Sequence, residues 1–455
     1  MAGKNKRPAR DFTEGHILGS VIRMGFPSAL GFAAGNLYHI ADMFWVSRLG
    51  SGAVAAITFF GTYYWVISSV NMIAGTGSVA VISRRYGEKD LPRTEVAIKE
   101  AILLKWILAV FFGIIGFITT PQIIHLLGAR GEVAEMCIPY GRILFAGLAF
   151  NFSCWTIYTA LRGIGHPNTA MGIMVGSAAL NVVLDPLFIF GWWIFPELGV
   201  RGAAVASVIS YTLTLIFGIA LFYSGRLNVS FHLKPEGKIR VHTMWQMIKI
   251  GLPAGITSIS DSLGRMVVMP MLAVFGPAAV AVYGAGMQVI HLGIMLCVGL
   301  ELGLAALIGQ NLGAGKLDRA WETAKKGLGL GTGAMVVLGI ASFVFARPLI
   351  MIFFPREPEI SLGIEFFHIM ALCMPFLGAY IIFEGVFTGS GNTVPLMTVG
   401  ALYMWVFQVP GVFLFSRVLN FGPEGVWWAV TLSLTAAALI FYALFLRRRW
   451  LHRKV

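Results

Sequence analysis

Two carboxylates and one amide lie where a plain lipid-facing helix has no use for them. Asp42 sits in the apolar stretch from Met24 to Arg48, and Asp185 sits in another over 168–191, with Asn181 four residues ahead of it. A charge at membrane depth costs roughly 2.5–3.5 kcal/mol on insertion scales, which makes each such residue a functional-site hypothesis by default. Asn181 and Asp185 share one helix face at their spacing of four. Asp42 precedes Arg48 by six residues and Asp185 precedes Gly191 by six, so the two carboxyls have matched depth near the outer ends of their spans. Two carboxylates and an amide oxygen suit a small hard cation such as Na⁺. The same pair suits a proton relay, because like charges in an apolar site share a proton readily. Tyr38, one turn before Asp42, and Asn36 and His39 beside it extend the polar surface. Each of these three fits ordinary helix–helix hydrogen bonding equally well. Pro27, in the same stretch, removes a backbone hydrogen bond and marks a predicted hinge.

The elements that must position these residues are membrane spans. With 455 residues, a mean hydropathy of +0.78 and only 12% charged residues, the chain falls far below the ~25% charge of water-soluble domains. Twelve apolar spans are read at 20–47, 53–83, 94–119, 136–160, 168–191, 200–223, 246–274, 279–308, 320–345, 359–387, 394–416 and 425–446. The predicted class is therefore an all-α polytopic membrane protein. Lys4, Lys6, Arg7 and Arg10 precede a span with no small-residue cleavage site, so that span is expected to be retained. The net charge of +13 does not point to nucleic acid. Of 34 Lys and Arg residues, 25 fall on the loops and adjoining span ends that share a side with the N-terminus and six on the opposite loops. That bias predicts both termini in the cytoplasm, with the protein in the inner cell membrane. Lys105, Arg142 and Arg265 fall inside spans. Cys137, Cys154, Cys297 and Cys373 lie in apolar runs without metal or redox spacing and read as packing residues.

The chain also repeats itself. Pro27 and Pro253 are 226 residues apart, and the same offset links Gly50 to Gly276, Gly87 to Gly313, Arg93 to Arg319, Gly163 to Gly389, Gly165 to Gly391, Met171 to Met397 and Gly199 to Gly425. The predicted organisation is an N-terminal lobe over 1–224, a basic cytoplasmic linker over 225–240 and a C-terminal lobe over 241–455. Six spans per lobe is an even number, so the lobes insert with one orientation. They are then related by a pseudo-two-fold axis along the membrane normal, a transporter architecture.

Specific residues carry a family resemblance on top of this pattern. They are Gly25-Phe-Pro27, Asp42 with Val46-Ser-Arg-Leu-Gly50, Tyr86-Gly-Glu-Lys, Leu161-Arg-Gly-Ile-Gly-His-Pro-Asn168, Asn181-Val-Val-Leu-Asp-Pro186 and Gly199-Val-Arg-Gly-Ala-Ala-Val-Ala206. The second half adds Gln310-Asn-Leu-Gly-Ala-Gly315 and Thr388-Gly-Ser-Gly-Asn392. Over nearly its whole length the chain resembles the multidrug and toxic compound extrusion (MATE) transporters, their DinF-like branch more than the NorM branch. The resemblance implies Asp42, Asn181 and Asp185 as the cation site. It suggests Tyr140 and Ser207 as polar neighbours and matches Asp261 to a glutamate of NorM-like members. Glu301 and Glu384 are further second-lobe candidates, with Arg265 placed to pair with Asp261. The span-10 aspartate of the NorM type has no counterpart, and Leu377 or a neighbour takes its place. Met72, Met287 and Phe60 are candidates for an adaptable surface toward flat cations.

The expected function is a Na⁺- or H⁺-coupled antiporter that exports cationic or lipophilic drug-like compounds by alternating access. It is expected to work as a monomer in membrane lipid, with no cofactor and no nucleic-acid partner. The competing function is a flippase for lipids or lipid-linked sugars, as in related transporters of the same superfamily. A membrane enzyme is disfavoured, because no metal cluster, phosphate loop or nucleophile constellation is present.

Overall fold

The computed structural model describes residues 11–232, 239–453 and 455. The basic N-terminal run and the centre of the expected linker, residues 233–238, lie outside the described residues. Among the described residues there are helices and no strands. The helices in chain order are α1 (Ile17–Ser47), α2 (Ser51–Gly87), α3 (Leu91–Leu126), α4 (Glu132–Ala146), α5 (Leu148–Gly163), α6 (Pro167–Ile189), α7 (Val200–Tyr223) and α8 (Val241–Ala273). They continue as α9 (Pro277–Gly313), α10 (Leu317–Val344), α11 (Ala346–Met351), α12 (Glu359–Ser390), α13 (Val394–Ala401), α14 (Val409–Phe413) and α15 (Gly422–Leu446).

Ten described helical stretches are long and apolar enough to cross a membrane, and eleven if the α4–α5 pair counts as one span. The 33-residue α8, which includes Lys249, Asp261 and Arg265, is not among them. Within membrane depth every backbone group must be satisfied internally, and unbroken helices do this. The fourth span departs from a straight rod, bending by 51° between α4 and α5. Gly147 sits at that bend, where a Cβ would overlap the side chain of Val208 on α7. Pro410 disturbs the eleventh span in another way. Wide π-helical turns over Leu402–Gln408 and Leu414–Val418 flank it and absorb the missing hydrogen bond.

The offset of 226 survives in the helix ends. Ser51–Gly87 and Pro277–Gly313 start and stop at equivalent positions, and α1 and α8 end at equivalent Ser47 and Ala273. Gly50 and Gly276 precede α2 and α9 at φ 108° and 98°, a conformation open in practice only to glycine.

The chain divides into two compact units. Unit 1 holds the residues up to Thr13 and Leu30–Gly255, and unit 2 holds Glu14–Ala29 and Ile256–Val455. Each unit thus takes in the first half of the helix that opens the other sequence repeat. The handover falls after Ala29 and after Gly255, two residues beyond Pro27 and Pro253 and again 226 apart. Glycines make each half-helix fit. In unit 2, a Cβ on Gly25 would touch Leu300, and one on Gly303 would reach the Gly25 nitrogen at 2.8 Å. In unit 1, the equivalent Gly251 and Gly77 lie against the carbonyl oxygens of Ile73 and Met247. Small residues that let helix backbones touch drive association where lipid removes the hydrophobic incentive.

The core of unit 1 gathers Phe60, Tyr63, Tyr140, Phe145, Leu148 and Phe152. Unit 2 buries Phe366, Phe383, Phe387, Trp427, Phe441 and Phe445. Apolar residues on the opposite faces are exposed, as Ile107, Val110, Phe111, Ile114 and Ile118 of α3 illustrate. That inversion of the water-soluble pattern belongs to a surface solvated by acyl chains.

Candidate functional site

The first-lobe residues converge inside unit 1. On α6, the Asn181 amide donates to Asp185 Oδ1 at 3.1 Å, which fixes both side chains on one face. Asn181 and Asp185 are fully buried, and Asp42 on α1 is 8% exposed. Asp42 and Asp185 lie within electrostatic reach of each other. After this bonding, Asp42 Oδ1, Asn181 Oδ1 and Asp185 Oδ2 are all buried acceptors with no hydrogen-bond donor. An unsatisfied buried polar atom costs about 1–3 kcal/mol, more when charged, so three in one neighbourhood require a reason. A cation or a proton is the ligand that such a trio accepts.

The flanking residues sort into partners and bystanders. Tyr38 Oη and Ser207 Oγ are 2.5 Å apart, joining α1 to α7. The Tyr211 hydroxyl donates to Tyr38 Oη at 3.1 Å and extends the chain of hydroxyls. Tyr140 is buried edge-to-face against Phe60, with centroids 5.3 Å apart, and feels both Asp42 and Asp185. Asn36 spends its amide on the Phe32 carbonyl of its own helix at 3.1 Å. His39 is exposed and packs edge-on against Tyr38. Phe60 is 2% exposed in the core of unit 1, so it does not form the adaptable surface expected for it. Its neighbours Tyr64, Tyr140 and Phe145 enclose it. Met72, by contrast, is exposed and Met287 half-buried. Tyr211 is the participant that sequence reasoning missed. Its signal was present, four residues after Ser207 and hence on the same face of one helix.

In unit 2 the three acidic candidates also share a neighbourhood. Glu384 on α12 lies within electrostatic reach of Glu301 on α9 and Asp261 on α8. Asp261 is half-buried, and its Oδ1 has no hydrogen-bond partner. Arg265 is exposed and lies within electrostatic reach of Asp261, but the expected ion pair does not close to within 4 Å. Among the described residues no cluster of three or more His, Cys, Asp or Glu side chains has the makings of a metal site.

The family model described as MatE matches residues 27–187 and again residues 253–414, once in each repeat. The chain belongs to the MATE family. Relatives agree across most of the length. The "Probable multidrug resistance protein YoeA" of Bacillus subtilis is 26% identical over 91% of this chain and 90% of its own. The "FAD transporter" of Shewanella oneidensis is 30% identical over 80% of each chain. A solved structure, "Crystal structure of MATE in the bent conformation", covers 99% of both chains at a TM-score of 0.90 and 23% identity. The two-lobe, twelve-helix fold is therefore the MATE fold, and this MATE-family chain is a multi-pass membrane protein of a transporter family that includes relatives named for multidrug resistance and multidrug export.

Proposed function

We propose that this chain is a cation-coupled antiporter that moves organic, mostly cationic or lipophilic compounds out across the cytoplasmic membrane by alternating access. Asp42, Asn181 and Asp185 hold the coupling Na⁺ or H⁺. The observation that carries the reading is the trio of buried oxygens on these residues with no donor. Tyr38, Ser207, Tyr211 and Tyr140 form the polar wall of that site, and Asn36 and His39 lie at its margin. Asp261, Glu301 and Glu384 serve substrate binding in the second lobe. Both termini face the cytoplasm, and the protein works as a monomer.

Coupling requires that the ion and the drug prefer different conformations, since occupancy alone moves no equilibrium. Pro27 acts as the hinge. Support comes from α1 passing from one compact unit to the other two residues after it. A helix shared by two units must deform if the units move, and proline lowers the cost of deformation. The test is dye efflux from inverted vesicles under separately imposed Na⁺ and pH gradients. Efflux driven by at least one gradient and lost in Asp42→Asn upholds the proposal. Efflux indifferent to both gradients overturns it.

A further inference from the structure

Arg142 is an intramembrane cation that neither the coupling site nor the second-lobe carboxylates use. It lies half-buried on α4, inside the apolar run expected over 136–160. Its guanidinium carbon stands over the Phe117 ring of α3, 5.1 Å from the centroid. The Nε atom is buried and meets no acceptor. Among the described residues no hydrogen bond or ion pair reaches the rest of the guanidinium either. An aromatic face attracts the charge, but it leaves the N–H donors of an arginine without acceptors. An arginine at membrane depth in that state is costly and calls for an anion.

Phe117 is also part of the wall of a groove of about 400 Å³ between α3 and the bent fourth span. Ala109, Gly113 and Phe145 are buried in its floor, and Ile114, Phe117 and Ala146 are exposed along its rims. Glycine sets how close the two spans come. A Cβ on Gly113 would stand 2.8 Å from the Phe145 carbonyl oxygen, and one on Gly141 would stand 3.3 Å from Thr120 Cγ2. The pairing of Gly141 with Thr120 and of Phe145 with Gly113 runs in opposite senses along the two helices. Arg142 and Phe117 therefore mark one end of the groove and Ala109 the other. Eight residues of α3 separate Phe117 from Ala109, about 12 Å of helix, close to the hydrocarbon depth of one leaflet, about 15 Å. The Arg142 end lies at the membrane face where α4 begins. Side chains on a helix tilt toward its N-terminus, so the stem of Arg142 carries its charge toward the headgroups at that face.

We infer that this groove seats an anionic phospholipid, with the lipid phosphate on Arg142 and an acyl chain lying along Gly113 and Ala146 toward Ala109. A cation at headgroup level above an apolar trough one leaflet deep is complementary to that molecule in charge and in length. Phosphate oxygens supply the acceptors that the guanidinium lacks, as charge-assisted bonds. A phosphatidylglycerol headgroup brings no second cation to the site, whereas the choline of phosphatidylcholine does.

The test is native mass spectrometry of the purified, delipidated full-length protein in detergent, titrated with phosphatidylglycerol or phosphatidylcholine of identical acyl chains. Wild type is expected to bind its first phosphatidylglycerol about fivefold more tightly than phosphatidylcholine, or better. Arg142→Gln should remove that preference, and Arg142→Lys should keep it. Ala146→Phe fills the groove from its exposed rim and should weaken phosphatidylglycerol binding by a similar factor with Arg142 in place. Should Arg142→Gln fail to fold, Ala146→Phe and Arg142→Lys carry the test. Equal binding of the two lipids by wild type overturns the inference. So does a preference that survives Arg142→Gln, or phosphatidylglycerol binding that Ala146→Phe leaves unchanged. The same spectra count chains, and a wild-type dimer that Ala146→Phe dissociates would assign the groove to a second copy of the protein and overturn the lipid seat.

Discussion

Replacing Asp185 by asparagine isolates charge from shape at the coupling site. The asparagine keeps an acceptor where Asp185 Oδ1 receives the Asn181 amide at 3.1 Å, so the local geometry is retained. What disappears is one of two negative charges in a fully buried site. A cation about 2.4 Å from a carboxylate oxygen gains about 7 kcal/mol at an effective dielectric of about 20. Two carboxylates on one cation sit at most about 5 Å apart, so losing one also relieves about 3 kcal/mol of repulsion. The difference, about 3–4 kcal/mol, corresponds to a loss of about 10²–10³-fold in cation affinity. The assay is drug efflux from proteoliposomes titrated with Na⁺ at one pH on both sides, with equilibrium drug binding measured on the same variant. Asp185→Asn is expected to shift the half-saturating Na⁺ by about two orders of magnitude or more and leave drug binding nearly unchanged. A half-saturating concentration within threefold of wild type would refute the assignment of this carboxylate as a cation ligand.

Other perturbations separate the remaining roles. Pro27→Ala should lower transport with expression and drug binding retained, and wild-type rates would exclude a hinge; Pro253→Ala is the matched control and should matter less if the lobes are functionally asymmetric. Asp261→Asn should impair efflux partially while the gradient dependence survives, and loss of that dependence would move coupling to the second lobe. Gly251→Ala drives a methyl into the Ile73 carbonyl of unit 1, an overpacking worth about 1–3 kcal/mol. A melting temperature unchanged from wild type would contradict the close approach. Cysteines introduced at Lys89 and Arg201 should label from opposite sides of intact cells, whereas labelling from one side would refute the orientation given by the basic loops.

What the amino-acid order determined is what depends on neighbours along the chain. Apolar run lengths gave the spans, charge bias gave an orientation to test, and the 226-residue register survives in the helix ends. Asn181 and Asp185 were legible as a pair because a spacing of four puts two side chains on one helix face whatever packs against it. The tertiary structure decided everything that depends on which faces meet. The fourth span reads as one apolar run, yet it bends at Gly147, where Val208 of another helix takes the space a side chain would need. Phe60 has the composition of an exposed aromatic and is buried, because Tyr140 and Phe145 arrive from α4. Arg265 stands four residues from Asp261 and within its electrostatic reach yet closes no ion pair, since spacing permits a contact without directing a side chain. Likewise, no local pattern reveals that α1 and α8 each divide between two compact units. That division depends on glycines of distant helices, Gly25 with Gly303 and Gly251 with Gly77, which let the backbones approach. The donorless state of Asp42, Asn181 and Asp185 is of the same kind, because an absent partner is a property of the whole packed neighbourhood.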